Sequence, residues 1–472
     1  MKRMRFCIAA AEQKGMVAYL VVLLFCQSGY GTQPAAPSEP TTRPGFTEID
    51  SIAALRAVTT RNGQKIRMKP GTYRIEDAWP DDPKTVFRFS GSDNHFDLRG
   101  ATLQVDTRVL ARMPRGKAHE LGVYRIEGSR ITFEGGLFED VGDYPPRRSL
   151  TEFSVSGDDV SFMNCRFVIR GSAPYGYGDL YGKGRGAAVW LQKHSGVGIS
   201  GDRCLIEDCD FQILSFGHGI HMHGAQDTVI RNVTMVGELR LSDELYQETS
   251  GPVAKYDYKL MYPPWRKGQP IPKGQMISLT EDGIRAYAHT GHVTVEDCTV
   301  TRMRGGITIA MASGGKVTNC TVLDSGGHAY SFPSNATVRN CRGNAAYAPL
   351  LKLSYAHKRN ANIELTLLES ERECGGHPLA TVVGRSHQIK SVYPGKSPPT
   401  ALRPILLGDT AGRYTEDNTA PEKLVKHNGA GRIVLDNLTP YPVRLSEYAT
   451  ECRITSRGNV EDRGRDNQVS FQ

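Results

Sequence analysis

Apolar and polar positions along this chain recur in a six-residue phrase. It reads Phe162-x-Asn164-Cys165-x-Phe167, then Ile206-x-Asp208-Cys209-x-Phe211, Ile230-x-Asn232-Val233-x-Met235 and Val295-x-Asp297-Cys298-x-Val300. Val317-x-Asn319-Cys320-x-Val322 and Val338-x-Asn340-Cys341-x-Gly343 continue it, and Leu98-x-Gly100-Ala101-x-Leu103 and Phe133-x-Gly135-Gly136-x-Phe138 precede it. The small residue and the apolar residue two places later share a face at the strand period of two. The apolar residue three places earlier breaks that period, so the chain must turn between them. The turning position is always Asn, Asp or Gly, the residues that best tolerate left-handed backbone angles. The phrase therefore predicts a strand, a one-residue corner and a second strand.

Cys320 and Cys341 are 21 residues apart, Cys298 and Cys320 are 22, and Cys209 and Val233 are 24. A repeat of this length with two or three short strands suits one coil of a parallel β-solenoid. Inward residues then stack in ladders, one of cysteines and one of Asn/Asp corners. The pattern resembles the right-handed parallel β-helix superfamily of pectate-lyase-like proteins over roughly residues 95 to 350. The expected class is all-β, a right-handed parallel β-helix with a short capping helix over Asp50–Val58, where Ile52, Leu55 and Val58 share a side. Residues 46–94 are expected to form the N-terminal cap and first coil, 95–370 the solenoid body, and 371–472 irregular final coils and a C-terminal cap.

Two coils are too long. Cys165 and Cys209 are 44 residues apart, and Val233 and Cys298 are 65. The extra stretches, 171–186 and 237–281, fall at one joint of the coil. They are expected to build one wall of a groove, and loops on a rigid scaffold are where function concentrates. Aligning the strand after that joint on its glycine pairs Ala188–Gln192 with Gly219–His223 and Gly283–Tyr287. Alternation then puts Val189, Ile220 and Ile284 inside. It puts Trp190 with Gln192, His221 with His223, and Arg285 with Tyr287 on one outward stripe, with His218, Asp282 and His289 at the strand ends.

The resemblance implies a carbohydrate-active enzyme of the polysaccharide lyase type. Eliminative cleavage of a uronate polymer needs a neutraliser for the carboxylate, a base for the adjacent proton and an acid for the leaving oxygen. Arg285 is the expected neutraliser, because its planar fork matches a carboxylate. His221 or His223 is the expected base and Tyr287 or Tyr256 the acid, with Asp282 at the strand end and Lys255 reaching in from the loop. Substrate contacts are assigned to Trp190, Gln192, His194, His218, Tyr177, Tyr181, Lys183, Arg240, His289 and Arg304. The expected partner is an acidic polysaccharide or oligosaccharide.

Two alternatives remain open. A glycoside hydrolase would use paired carboxylates, drawn from Asp282 and Glu281 with Glu238, Asp243, Glu244 or Glu248. Gly217-His218-Gly219 resembles the histidine motif of polygalacturonase-type glycosidases, but Lys193-His194 stands where an Asp pair belongs and no Arg-x-Lys follows. A non-catalytic glycan binder would stack sugars on Trp190, Tyr175, Tyr177, Tyr181 and Tyr287.

Composition narrows this picture. The chain has 472 residues, 50 of them Gly, and a formal net charge of +8. That modest charge carries no basic block interleaved with aromatics, so nucleic acid is not an expected partner. The apolar run Met16–Cys26 follows a basic start and precedes Gly29-x-Gly31. It is too short to favour a membrane span and reads as a secretory signal peptide over 1–31, with a linker over 32–45. The expected location is secreted or periplasmic. Val233, Ala101 and Gly136 occupy the cysteine position in other copies, so the cysteines read as small core residues rather than a disulfide framework. No metal or other cofactor is expected, with calcium on the acidic loop residues left open. Nothing in the sequence sets an oligomeric state.

Overall fold

The computed structural model describes residues 45–114, 122–182, 187–263, 266–370, 376–395, 403–408 and 429–472. The signal peptide, nearly all of the linker, and Lys183 lie outside these residues. The chain is a right-handed parallel β-helix. A typical coil gives one strand to a 13-stranded parallel sheet and two, separated by a corner, to a 23-stranded one.

The corners follow from the phrase. Asn164, Asp208, Asn232, Asp297, Asn319 and Asn340 all have φ between 49° and 56°. Gly100 and Gly135 stand at the same place with φ of 80° and 70°. A left-handed residue with a Cβ costs roughly 1–2 kcal/mol. Side-chain bonds between coils offset part of this. Asn232 Nδ2 donates to Asp208 Oδ1 at 2.6 Å, Asn319 Nδ2 to Asp297 Oδ1 at 3.0 Å, and Asn340 Nδ2 to Asn319 Oδ1 at 3.3 Å.

The phrase partners pair in register: Phe162 with Ile206, Ile206 with Ile230, Ile230 with Val295, Val295 with Val317, and Val317 with Val338. Inside, the early coils stack aromatics, Phe133 on Phe162 at 5.0 Å and Phe167 on Phe211 at 4.4 Å. Each such pair contributes about 0.5–1.5 kcal/mol beyond the area it buries. Later coils replace them with Val and Ile. Cys165, Cys209, Cys298, Cys320 and Cys341 are buried free thiols along the ladder.

At the N-terminal end, helix Ile52–Val58 is capped by Ser51, whose Oγ accepts the Ala54 N–H at 3.2 Å, and it buries Leu55 in the core. A second helix, Thr107–Arg112, is capped by Asp106. Parallel pairing continues past residue 370, where the phrase is lost, to the last strand Gln468–Phe471.

The two insertions fold into one body beside the solenoid. The hairpin Leu239–Leu241 with Met276–Ser278 opens the longer one, followed by helices Ser242–Leu245 and Gly251–Lys255. Tyr181 of the first insertion is buried with Leu245, Val253, Leu260 and Ile271 of the second, in a small core separate from that of the solenoid.

Candidate active site

The strands of the 13-stranded sheet next to these insertions are His194–Ile199, Ile220–Met222, Ile284–Ala286, Gly305–Thr308 and His328–Ser331. Ile220, Ile284 and Ile307 point inward and are fully buried. Their neighbours make an outward column in which Gly198 pairs with His221, His221 with Arg285, Arg285 with Thr308, and Thr308 with Ser331.

Trp190 is not in this column. The strand after the first insertion begins at His194, so the residue beneath His221 is Gly198. Trp190 lies on the insertion, 58% exposed, and Val189 is part of the insertion rather than of the solenoid interior. Gln192 closes the same insertion by pairing with Ala173. The alignment on Ala188–Gln192 misplaced these residues, because the segment that pairs with Ile220–Met222 is His194–Ile199, with Val197 opposite Ile220.

One step before the column, the coil corner carries the charge. Backbone bonds run from Glu281 N–H to the Gly217 carbonyl and from Arg304 N–H to the Glu281 carbonyl, both 3.0 Å. Lys193 Nζ meets Glu281 Oε1 at 2.6 Å. Asp282, fully buried, takes Arg304 at 3.1 Å and Arg285 at 3.2 Å, and Arg304 also reaches Asp179 of the first insertion at 3.5 Å. Three cations thus face three carboxylates. Burial pushes the Asp282 carboxyl up, but Arg304 and Arg285 outweigh it and hold the group well below the usual carboxylate range.

His218 sits at the centre of this corner. The Asp282 backbone N–H donates to Nδ1 at 3.2 Å, so the ring proton of the neutral histidine is on Nε2. Nε2 lies 2.7 Å from the Tyr287 hydroxyl and 3.3 Å from Glu281 Oε2. Burial lowers the His218 pKa to about 4, despite the nearby Glu281 and Asp282. Burial, then Glu281, raises the pKa of Tyr287, which stays protonated at neutral pH. With its oxygen accepting from His218, the Tyr287 O–H is directed away from the histidine.

His221 stands beside this pair. Its Nδ1 is buried and has no hydrogen-bond partner among the described residues. Burial, with His218 and His223, drives its pKa well below the ordinary value, so the ring is neutral. Gly198 makes room for it: a Cβ there would stand 2.7 Å from His221 Nε2. His223 stacks flat on Tyr287 at 4.2 Å, and Arg285 lies 5.1 Å from the centre of the same ring.

The structure brings together His218, His221, His223, Asp282, Arg285, Tyr287 and Arg304. It does not bring in the other expected residues that it describes. Tyr256 stacks on Tyr181 at 5.5 Å and donates its hydroxyl to the Ala188 carbonyl at 3.2 Å. Lys255 is exposed on the insertion, 5.2 Å from the Tyr256 ring. Tyr177 donates to Glu248 at 2.7 Å, and burial, then that bond, raises its pKa to about 12. Arg240 pairs with Glu248 at 2.5 Å and Glu244 at 3.4 Å, so it braces the insertion. His289 is exposed, with φ of 70°, in the turn after Tyr287. His194 is fully buried inside the wall and faces no substrate. Lys193 was missed as a site residue. Its signal was its place directly before a strand of the site sheet, the position Arg304 takes three coils later.

The match to a family model falls on residues 275–377, described as a right-handed beta helix region. No curated protein matches the chain in sequence. Among solved structures, a PL6 alginate lyase in complex with a trisaccharide is 12% identical, with a TM-score of 0.48, over 91% of this chain and 86% of that one. A mannuronic acid specific family 6 polysaccharide lyase from human gut microbiota is 11% identical, with a TM-score of 0.47, over 90% and 83%. The A-module of a mannuronan C-5 epimerase from Azotobacter vinelandii is 9% identical, with a TM-score of 0.39, over 89% and 92%.

Proposed function

We propose that this chain is a carbohydrate-active enzyme that cleaves an acidic, uronate-containing polysaccharide by β-elimination, acting in the secreted or periplasmic space. The observation that carries the reading is the placement of His221, Arg285 and Tyr287. A neutral histidine stands in register with an arginine, beside a protonated tyrosine whose oxygen is held by His218.

Arg285 binds the uronate carboxylate. His221 takes the proton from the carbon next to that carboxylate. The C–O bond to the leaving sugar breaks as a carbon–carbon double bond forms, and Tyr287 gives its proton to the leaving oxygen. Arg304, Asp282, Glu281, Lys193 and His218 hold the arrangement without touching substrate. Trp190, exposed on the insertion three residues before Lys193, offers a platform for a more distant sugar.

A second reading, glycoside hydrolysis, is favoured by one feature. Asp282 already partly compensates Arg285, while Glu281 and Asp282 face the two nitrogens of one histidine at 3.3 and 3.9 Å. A panel of acidic polysaccharides, scored for ultraviolet absorbance and for new reducing ends, decides between them. Elimination raises both signals. New reducing ends without absorbance reject the lyase reading, and binding without either signal reduces the protein to a glycan binder.

A further inference from the structure

His194, removed from the substrate face, belongs to a second cluster inside the wall. Three coils supply it: Asp140 from strand Leu137–Val141, Glu152 from strand Leu150–Val155 and His194 from the start of its own strand. None of the three is more than 2% exposed. One donor atom from each lies within 4.8 Å of the other two. Burying two carboxylates together is costly unless something compensates them.

The hydrogen bonds present do not do so. His194 Nδ1 lies 2.5 Å from the Arg170 carbonyl, so it carries the ring proton and leaves a lone pair on Nε2. That lone pair faces Glu152 Oε2 at 3.1 Å, oxygen and nitrogen both acting as acceptors when the acid is ionised. Asp140 Oδ2 accepts the Arg170 backbone N–H at 2.9 Å and lies 3.5 Å from His194 Nδ1, and its Oδ1 has no hydrogen-bond partner among the described residues. Glu152 Oε2, His194 Nε2 and the Tyr124 hydroxyl are likewise buried without a hydrogen bond to any described residue. Tyr124 lies within electrostatic reach of both carboxylates. Each unsatisfied group costs about 1–3 kcal/mol.

We propose that Asp140, Glu152 and His194 bind a divalent transition metal ion, zinc first, as a structural site in the wall of the solenoid. Two carboxylates and a neutral imidazole give a charge of −2, which one divalent ion balances. Ligand atoms bonded to zinc at about 2.0–2.2 Å stand roughly 3–3.5 Å apart, and the 3.1 Å between Nε2 and Oε2 suits that spacing. The Nδ1–H donated to a backbone carbonyl is the partner that orients a metal-bound histidine. Mixed nitrogen and carboxylate donors favour zinc over calcium, which takes oxygen alone. Tyr124 or a water would complete the set. The ion would tie three successive coils together next to Lys193, which pairs with Glu281 in the candidate active site.

The rival account is a proton. Burial raises the pKa of Glu152 to about 8, so a protonated Glu152 would donate to His194 Nε2 with no metal. The full chain, produced with zinc in the medium and dialysed into metal-free buffer, separates the two. Elemental analysis is expected to find about one zinc per chain. Cobalt(II), taken up on refolding, is expected to give the visible absorption of a bound ion. Glu152→Gln keeps the shape and a donor for His194, so it is expected to fold but lose the metal, and zinc will no longer raise its thermal midpoint. Wild-type protein without metal, with a midpoint indifferent to zinc and chelator, overturns the proposal, as does equal zinc in Glu152→Gln. If that variant does not fold, the metal content of the wild type decides alone.

Discussion

His218 Nε2 lies 2.7 Å from the Tyr287 hydroxyl, a contact between successive coils that the longer insertion separates by 69 residues in the chain. Because the Asp282 N–H fixes the histidine tautomer, the histidine is the donor in this bond. The tyrosine proton is therefore left for another acceptor. That one relationship gives the site its direction, from a buried charge cluster outward through Tyr287.

Tyr287→Phe removes the proposed acid and leaves the ring that His223 stacks on. The fold is expected to persist, and turnover on a responsive polysaccharide to fall about 10²–10⁴-fold, read from the ultraviolet signal of the product. Unchanged turnover would remove Tyr287 from the reaction.

Arg285→Ala and His221→Ala are each expected to abolish product while circular dichroism stays that of the wild type. Arg285→Lys keeps a charge but loses the planar fork. It is expected to raise KM more than it lowers kcat. Full activity in both alanine variants would reject this site.

Gly198→Ala tests the cradle under His221. The added methyl would meet Nε2 at 2.7 Å and the Thr151 methyl at 3.2 Å, so the imidazole must shift. Displacement of a catalytic group by a fraction of an ångström is costly in rate. A fall in kcat of about tenfold or more is expected, with the thermal midpoint nearly unchanged.

Stability is expected to decline in mild acid. His218 has a folded pKa of about 4 against 6.5 unfolded, so the unfolded chain binds the proton more readily. The contribution is full above pH 6.5 and is lost as pH falls toward 4, on the order of 3 kcal/mol in all. Thermal midpoints measured across this window should fall with acid in the wild type, and less steeply in His218→Gln. Equal slopes would show that His218 does not titrate with unfolding.

Corner chemistry can be tested at Asn319, which has φ of 56° and bonds to the corners before and after it. Asn319→Val puts a branched Cβ in left-handed backbone and removes both bonds. A loss of about 1–3 kcal/mol is expected, with Asn319→Gly much milder, compared by thermal or denaturant midpoint.

The coil was legible in the sequence because its signals are local and repeated. A left-handed corner needs Asn, Asp or Gly, a ladder needs a small residue, and the strand period places the apolar partner. The pairing of His221 with Arg285 followed from the same periodicity. What failed was the coil with an insertion. Between Gly186 and Ile199 two segments, Ala188–Gln192 and His194–Ile199, carry apolar residues next to a glycine, and alternation alone could not tell which becomes the strand. That choice moved Trp190 off the column and His194 into the interior.

The sequence by itself determined the stacking, the corners and the outward stripe of His221, Arg285 and Tyr287, since each depends on residues a few positions apart and on a spacing repeated along the chain. The tertiary structure decided which charges meet. Lys193 with Glu281, Arg304 with Asp282 and Asp179, and the buried set of Asp140, Glu152 and His194 join residues from different coils and from the insertion. Their separation in the chain varies with every insertion, so no period announces them, and only the closed solenoid brings them within reach.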